Sequence, residues 1–494
     1  MRQSWTIPLD KPGLVVYFGV NSRPLLFNGH KGIFYDDLPA HAVKILEALS
    51  KPKEDQLALI EPLRKKYGAR CDSVLKEIRL YQSGAHPDLA PEARQETSCQ
   101  SPTPKSFNVF VSQACNLSCR YCINQSGTFG RAPSTMSVET ARDVLAFVGR
   151  AVTAGIHPVV GVNLFGGEPL LSRKSAYTLA RGLQDLNRAN LPTKVHIMLS
   201  TNGTIYDRAV FKILAEQPDR NTVVVSLDAF KEIHDENRRF ADPARGSTYD
   251  TVLRNLRRMI REDIPYSVTC VVPYPYDYIG AAEELCHLGI RRFEIKQLIP
   301  HVYGQPDLPE VFRDDFTLWK KNYLAYSAYC LDQLDGRRPA QYVDRAALFG
   351  DYAKALGGLK ERPGTLACGV ADVKVGVTSD GRVMPCEGFL GLEGFDIGNV
   401  KTGFDAAKYE RFEEWILSRG QLRIENERCR NCYAKLICGG GCYAVSYDKT
   451  GRLDPYPESW CRYVREKVKI DLYYISRMRK EHPELVPGVA DRSP

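Results

Sequence analysis

The sequence predicts an α/β fold, a parallel sheet or barrel covered by helices, and three observations carry that expectation. From Phe107 onward six apolar, β-prone runs follow one another: "NVFVS", "VVGVNLF", "KVHIMLS", "TVVVSL", "YSVTCVV" and "RRFEIKQL". Helical patterns lie between them, as in "SVETARDVLAFVGRAV", where Ala141, Val144, Leu145 and Val148 share one face. Each run is nearly continuous in apolar residues, the pattern of a strand covered on both faces. A strand–helix repeat of this type keeps its chemistry in the loops at the strands' carboxyl ends.

In chain order, "GLVVYFGVNSRPLLFNGHKGIFY" alternates β-prone runs with turn signals at Asn21-Ser22 and Asn28-Gly29, giving two or three small antiparallel strands. Three helices follow. The first starts behind Asp37 with Pro39 in its first turn, the second runs from about Glu54 to Gly68, and the third is "DSVLKEIRLYQ". Together they make a β-then-α domain over 1–82. Residues 83–105, rich in Pro, Ser and polar side chains, read as a linker. The α/β repeat occupies 106–304, and 305–360 is a helical bridge. Its stripe of Phe312, Phe316, Trp319, Tyr323 and Tyr326 has the spacing of core packing, with a cofactor box as the alternative. Residues 361–494 are loop-rich, dense in Cys and Gly, and close with the amphipathic helix "CRYVREKVKIDLYYISRMRK".

Length and composition bound the function. A chain of 494 residues, 44% of them hydrophobic, holds two to four domains with buried cores. The first residues, "MRQSWTIPLDKPG", carry no signal-peptide core, and no run approaches the ~18 apolar residues that span a bilayer, so a cytoplasmic location with no membrane partner is expected. Fifteen cysteines in a reducing compartment are then not a disulfide framework, which leaves metal ligation or redox chemistry. Cys71, Cys99, Cys270, Cys286 and Cys330 stand alone and read as small buried hydrophobes. A net charge of +8 over this length permits an acidic partner without demanding one.

The stretch "QACNLSCRYCINQ" places Cys115, Cys119 and Cys122 just after the first apolar strand. A protein-held 4Fe–4S cube takes four thiolates. Three leave one iron open to a small molecule with amino and carboxylate groups, into which an electron can pass. Zinc wants four closed ligands, with no histidine near, and a redox dithiol needs only two cysteines.

On these residues the chain resembles the radical S-adenosylmethionine (radical SAM) family, whose signature is C-x3-C-x-aromatic-C, with Tyr121 as the aromatic. The resemblance implies a partial (β/α)6 barrel, a 4Fe–4S cluster on the three cysteines, and S-adenosylmethionine beside it. "GGEP" (Gly166, Gly167, Glu168, Pro169) follows the second strand, where a backbone free of side chains lets the methionyl amine approach. "STNG", with Ser200 and Asn202, ends the third strand, and "SLDA" ends the fourth. By the same resemblance Ser226 and Arg238, in "HDENR", contact the ribose and carboxylate of S-adenosylmethionine; a turn cap and a surface charge are the plainer alternatives. "QLIP" closes the sixth strand and resembles the adenine-flanking segment, with Gln297 and Leu298 as its candidate contacts.

Seven further cysteines, Cys368, Cys386, Cys429, Cys432, Cys438, Cys442 and Cys461, match the SPASM extension, which in similar enzymes binds two auxiliary 4Fe–4S clusters. A pair of zinc ribbons would need eight ligands, and no histidine lies between 302 and 480. Carried over by position, Cys368, Cys386 and Cys442 hold the nearer cluster, and Cys429, Cys432, Cys438 and Cys461 the outer one. Seven ligands cannot fill eight sites, so one iron is either open to a substrate thiolate or closed by another ligand. Glu387 follows Cys386 where similar sulfatase-maturing enzymes carry a catalytic aspartate; a solvated loop glutamate is the alternative.

The first 82 residues resemble the winged-helix-like domain that holds the leader of a ribosomally made peptide by strand addition. They lack a Lys/Arg-dense reading helix, so no nucleic-acid partner is expected. The expected activity is peptide maturation with three 4Fe–4S clusters, a precursor peptide or protein as substrate, thioether or other cross-links as product, and flavodoxin or ferredoxin as electron donor. Sulfatase maturation, oxidising Cys or Ser to formylglycine, is the second enzymatic reading. An iron–sulfur electron carrier would leave "GGEP" and the Ser226/Arg238 pair without a role.

Overall fold

The computed structural model describes residues 15–20, 23–28, 33–35, 38–83, 102–122, 124–189, 191–298, 315–334, 370, 374–425, 429, 432–438, 440–450 and 458–482. Cys99, Phe312, Cys368 and the linker segment 84–101 lie outside the described residues.

Strands β1 (Val15–Val20), β2 (Arg23–Asn28) and β3 (Ile33–Tyr35) form an antiparallel sheet in chain order. Val20 pairs with Arg23, while the expected turns at Asn21-Ser22 and after Asn28 lie outside the described residues. Helices α1 (Ala40–Leu49), α2 (Lys53–Tyr67) and α3 (Ala69–Ser83) follow. Pro39 occupies the N-cap position of α1, one residue before the turn in which the sequence reading put it. Gly68 ends α2 at a positive φ of 54°. The helices share a small core of Ile45, Cys71 and Leu75.

The six apolar runs are six parallel strands. They are β4 (Ser106–Gln113), then, after the short β5 (Leu117–Cys119), β6 (Ser134–Thr135) and helix α4 (Val138–Ala154), β7 (Val159–Gly166). Helix α5 (Arg173–Arg188) leads to β8 (Lys194–Thr201), and α6 (Arg208–Leu214) to β9 (Thr222–Ser226). Helix α7 (Lys231–Asn237), the short β10 (Arg238–Phe240) and α8 (Thr248–Arg261) precede β11 (Tyr266–Val272), and α9 (Tyr278–His287) precedes β12 (Phe293–Gln297). The sheet order β4-β7-β8-β9-β11-β12 is the chain order. Every crossover therefore steps the same way, and because such crossovers are right-handed the helices fall on one face.

Burial follows from that. Phe107, Val109, Val160, Val162, Leu164, Val195, Ile197, Leu199, Val223 and Val225 are buried beneath the helices. Asn108, Asn163, Ser200 and Ser226, of the opposite parity, are only partly buried. The sequence expectation of two covered faces thus holds for one. The other is a polar inner face, which a partial barrel leaves open to a ligand.

The C-terminal part adds to the same sheet. After α10 (Phe316–Leu334), strand β13 (Lys374–Val377) pairs parallel with β4, Gly376 opposite Asn108. Strands β14 (Arg382–Met384), β15 (Gly398–Asn399) and β16 (Gly403–Phe404) continue it antiparallel. Runs of two to four residues carry too little periodicity to be read from sequence. Helices α11 (Ala406–Glu425), α12 (Lys435–Cys438), α13 (Tyr443–Thr450) and α14 (Glu458–Glu481) complete the chain. Cys270, Cys286 and Cys330 are buried, as expected of isolated cysteines.

The aromatic stripe of α10 is core. Trp319 is 0% exposed, stacks on Tyr323 at 5.5 Å between ring centroids and meets Tyr463 of α14 at 4.7 Å. Its removal opens a cavity where α14 docks on the barrel. Trp319→Ala should cost about 3–5 kcal/mol in urea unfolding of the protein; a loss under about 1 kcal/mol would mean that the contact is not core.

Candidate active site

Strand β4 ends at Gln113 and delivers the first cysteine loop. The loop is held by a ladder absent from the sequence reading: β5 pairs antiparallel with β10, Cys119 opposite Arg238 and Leu117 opposite Phe240. Arg120 N–H donates to the Asn237 carbonyl at 2.9 Å, and Ala241 N–H to that of Asn116 at 2.9 Å. The segment "HDENR" therefore braces the cysteines directly.

The sulfurs are prepared for charge. Cys115 Sγ accepts from Leu117 N–H at 3.4 Å and from Asn202 Nδ2 at 3.6 Å, and Cys122 Sγ accepts from Ser126 N–H at 3.3 Å. Burial pushes the Cys115 thiol up to about 11 and the Cys119 thiol to about 12. Arg238 opposes the shift at Cys119, while Cys122 and Cys115 add to it. Three soft donors close enough to feel one another's charge fit a group that brings positive charge of its own. Among the described residues no three His, Cys, Asp or Glu side chains converge on a single ion.

The glycines of "GGEP" are explained by the cysteine loop. A Cβ on Gly166 would run into the Ser112 carbonyl, and one on Gly167 into the Ala114 carbonyl. Gly167 N–H donates to Ser112 O at 2.8 Å and Glu168 N–H to Ala114 O at 2.9 Å. Room is thus needed for backbone packing, a demand separate from the expected ligand. The Glu168 side chain turns inward, is 0% exposed and receives Leu170 N–H at 3.0 Å, Asn202 N–H at 2.8 Å and the Thr201 hydroxyl. It clamps the "STNG" turn to the "GGEP" turn. Asn202, so held, donates to Asn116 Oδ1 at 2.9 Å and receives the Thr204 hydroxyl and N–H.

Asp228, in "SLDA", is the residue that the sequence reading missed. Its Oδ2 accepts from Arg238 Nε at 3.1 Å and from the Tyr121 hydroxyl, and its Oδ1 from Val271 N–H at 3.0 Å. The Arg238 guanidinium lies 5.2 Å from the centroid of the Tyr121 ring. Arg238 is only 8% exposed, which rules out the surface-charge alternative. Behind it His234 accepts from Asp228 N–H through Nδ1 at 3.1 Å, and burial pushes the imidazole down to about 4. The signal for Asp228 was an acid at the end of an apolar strand, ten positions before a required arginine. Ser226 ends β9 on the inner face, and its hydroxyl makes no hydrogen bond among the described residues. Leu298 is buried, whereas the Gln297 side chain lies outside the described residues.

At the C-terminal end, Cys386 is buried and its thiol is pushed well up by that burial, with Glu387 and Cys442 near enough to add to the effect. Burial likewise pushes Cys438 up to about 12, helped by Cys432, Cys461 and Cys429. The described thiols thus fall into two sets, 386/442 and 429/432/438/461. The Cys386 turn lies over Gly376, where a Cβ would come 3.0 Å from Cys386 backbone atoms. This brings Glu387 beside β4: Lys374 Nζ donates to its Oε1 at 3.0 Å and Asn108 Nδ2 to its Oε2 at 3.0 Å. Burial would raise the Glu387 carboxyl, but Lys374 and these bonds hold it below the usual range. It is partly exposed, but paired with Lys374 and Asn108 rather than free in a plain loop.

The radical SAM superfamily profile matches residues 109–295. The serine-type anaerobic sulfatase-maturating enzyme of Klebsiella aerogenes is 24% identical over 360 residues, 70% of this chain and 81% of that one. Among solved structures, anSMEcpe with bound AdoMet and Cp18Cys peptide superposes with a TM-score of 0.59 at 20% identity, over 76% of this chain and 99% of that one. Streptococcus suis SuiB bound to its precursor peptide SuiA gives 0.50 at 15% identity, over 93% and 100%.

Glu168 makes the site's stability sensitive to pH. Burial lifts its carboxyl from 4.5 to about 7, so the native state keeps a proton that the unfolded chain releases. Its contribution to stability is full below about pH 4.5 and is lost as pH rises toward about 7, at ~1.4 kcal/mol per pH unit. Unfolding of Glu168→Gln should accordingly depend less steeply on pH than wild type between about pH 5 and 7. Parallel profiles for the two would place the titration elsewhere.

Proposed function

With residues 109–295 folded as a radical SAM domain, and the chain an enzyme on that account, we propose that it abstracts a hydrogen atom from a peptide and matures it, by thioether or other cross-links. The observation that carries the chemistry is the joining of the cysteine loop, "GGEP", "STNG" and the Asp228/Arg238 pair at one end of one sheet. Cys115, Cys119 and Cys122 would hold a 4Fe–4S cluster. When bound, that cluster supplies the electron that splits S-adenosylmethionine into methionine and a 5′-deoxyadenosyl radical.

This chain's residues do the rest by binding and shielding. Arg238, fixed by Asp228, presents the remainder of its guanidinium to the methionyl carboxylate. Ser226 offers an unengaged hydroxyl to the ribose from the inner face. Tyr121, locked by Asp228, holds the cysteine turn in place. Cys368, Cys386 and Cys442 would hold a nearer auxiliary cluster, and Cys429, Cys432, Cys438 and Cys461 an outer one. The two sets of neighbouring thiols support that division. Glu387, beside Cys386 and bonded to Asn108 of β4, would take a proton from a substrate thiol or hydroxyl. A flavodoxin or ferredoxin fits as the electron donor.

The peptide reading is supported by the β-then-α unit over 15–83, whose strands β1 and β3 are both sheet edges to which a leader can add. The likeness to SuiB, solved with its precursor peptide, extends over 93% of this chain, against 76% for anSMEcpe. Sulfatase maturation is the second reading, favoured by the higher TM-score of anSMEcpe and the Klebsiella enzyme's similarity. The products differ: a formylglycine aldehyde there, a cross-linked peptide here. Among the described residues no helix is long and apolar enough to cross a membrane.

Oxygen-free reconstitution should give about twelve irons per chain. Replacing Cys115, Cys119 and Cys122 together by Ala should remove about four of them and abolish 5′-deoxyadenosine formation; a variant that still cleaves S-adenosylmethionine would sink the assignment. Deleting residues 1–82 should weaken binding of a leader-bearing peptide while sparing peptide-independent cleavage. Equally tight binding by the truncated enzyme would give the unit another job.

A further inference from the structure

The polar inner face of the sheet carries a continuous hydrogen-bonded strip whose two central members, Asn108 and Asn163, have no assigned role. Ser200 Oγ donates to Asn163 Oδ1 at 3.0 Å, Asn163 Nδ2 to Asn108 Oδ1 at 3.3 Å, and Asn108 Nδ2 to Glu387 Oε2 at 3.0 Å. Lys374 closes the far end on Glu387 Oε1 at 3.0 Å. The strip crosses β8, β7, β4 and the Cys386 turn, so it links the "STNG" end of the cofactor site to the candidate base. All its donors point toward the Glu387 carboxylate, which fixes each amide's orientation.

That orientation leaves defined valences unused. A primary amide has two N–H donors and two acceptor lone pairs. Asn108 and Asn163 each spend one donor and one acceptor along the strip and, among the described residues, make no other hydrogen bond. Each keeps one N–H and one lone pair, the same pair of groups that a peptide unit presents along an edge. The two stand opposite each other in register on neighbouring strands. Met198, opposite Asn163 on β8, is 41% exposed on this face, so the surface is open and in part apolar. A purely structural barrel interior is instead filled by branched apolar side chains in layers.

We propose that Asn108 and Asn163 are substrate-positioning residues that grip the main chain of the peptide beside the residue to be modified, their spare N–H groups donating to its carbonyls. They hold the reacting carbon between the S-adenosylmethionine end of the strip at Ser200 and the proton-accepting end at Glu387. Recognition of main chain leaves the side-chain sequence free apart from the reacting residue. The inference rests on the peptide-substrate reading above.

The test uses the cluster-loaded full chain with S-adenosylmethionine, and a fluorescein-tagged synthetic library of cysteine-centred nonapeptides as probe. Asn163→Leu should weaken uptake about 2- to 10-fold, the size of one hydrogen bond, with Asn108→Leu similar and the pair less than additive because they touch. Asn163→Gln, which keeps a donor, should recover part of the loss; should the Leu variant fail to fold, Asn163→Ala takes its place. A second library with esters for the amides flanking Cys has weaker carbonyl acceptors, and should lose affinity for wild type but less for Asn163→Leu. Equal uptake by wild type and Asn163→Leu overturns the inference alone. So does an ester penalty that is unchanged in the variant, since a merely structural tie would leave it so. No uptake by wild type overturns it together with the peptide reading.

Discussion

One buried carboxylate organises the cofactor end of this protein. Asp228 sits where the fourth strand ends and binds at once to the cysteine turn through Tyr121, to the following segment through Arg238 and to the fifth strand through Val271 N–H. A charge so deeply placed is tolerable only when paired and fully hydrogen-bonded, and removing one partner of such a pair costs several times what the pair itself contributes. The pair therefore acts less as glue than as a specification. It permits one arrangement of three loops from distant parts of the sequence, and the antiparallel ladder of Cys119 with Arg238 registers the same arrangement through backbone. Glu168 repeats the device between the second and third strands, a buried acid whose acceptors fix two turns.

These two acids explain why the motifs occur as they do. "GGEP" combines residues that must lack a side chain, so that the cysteine loop can lie against them, with a residue whose side chain must reach the next turn. "SLDA" combines a serine facing the inner side with an acid facing the arginine. Each motif is a short solution to two geometric demands, one from the ligand side and one from the scaffold side.

The six strands, their order of appearance and the helices between them were legible because both the apolar runs and the helical stripes are long. The three N-terminal strands and three helices were legible too, the second helix through its stop at Gly68. What escaped is instructive. The four short strands that carry the C-terminal part into the main sheet have no period to read, and their placement is set by pairing with β4. Asp228, Lys374, Asn108 and Asn163 escaped because a polar residue beside or within an apolar run carries no label for its partner: the partners are 10, 13, 279 and 55 positions away. The glycines were read as positions where a ligand approaches the backbone, whereas the group that the structure sets against them is the chain's own backbone.

The seating of β13 against β4 has a consequence for synthesis of the chain. The strand that bears the cysteine loop gains β7 on one edge, and β6 against Ser112 and Gln113, soon after it is made, but its 106–109 segment meets β13 only after residue 374. An uncovered strand edge is a template for pairing with other chains, and large domains that wait for distant segments expose such edges while they fold. The nascent barrel must therefore carry its most important strand half-paired while the ribosome makes the bridge that follows the sixth strand. Completion of the C-terminal part is at once the covering of that edge and the arrival of Lys374 and Glu387, so that strand pairing and the equipping of the inner face come in a single event.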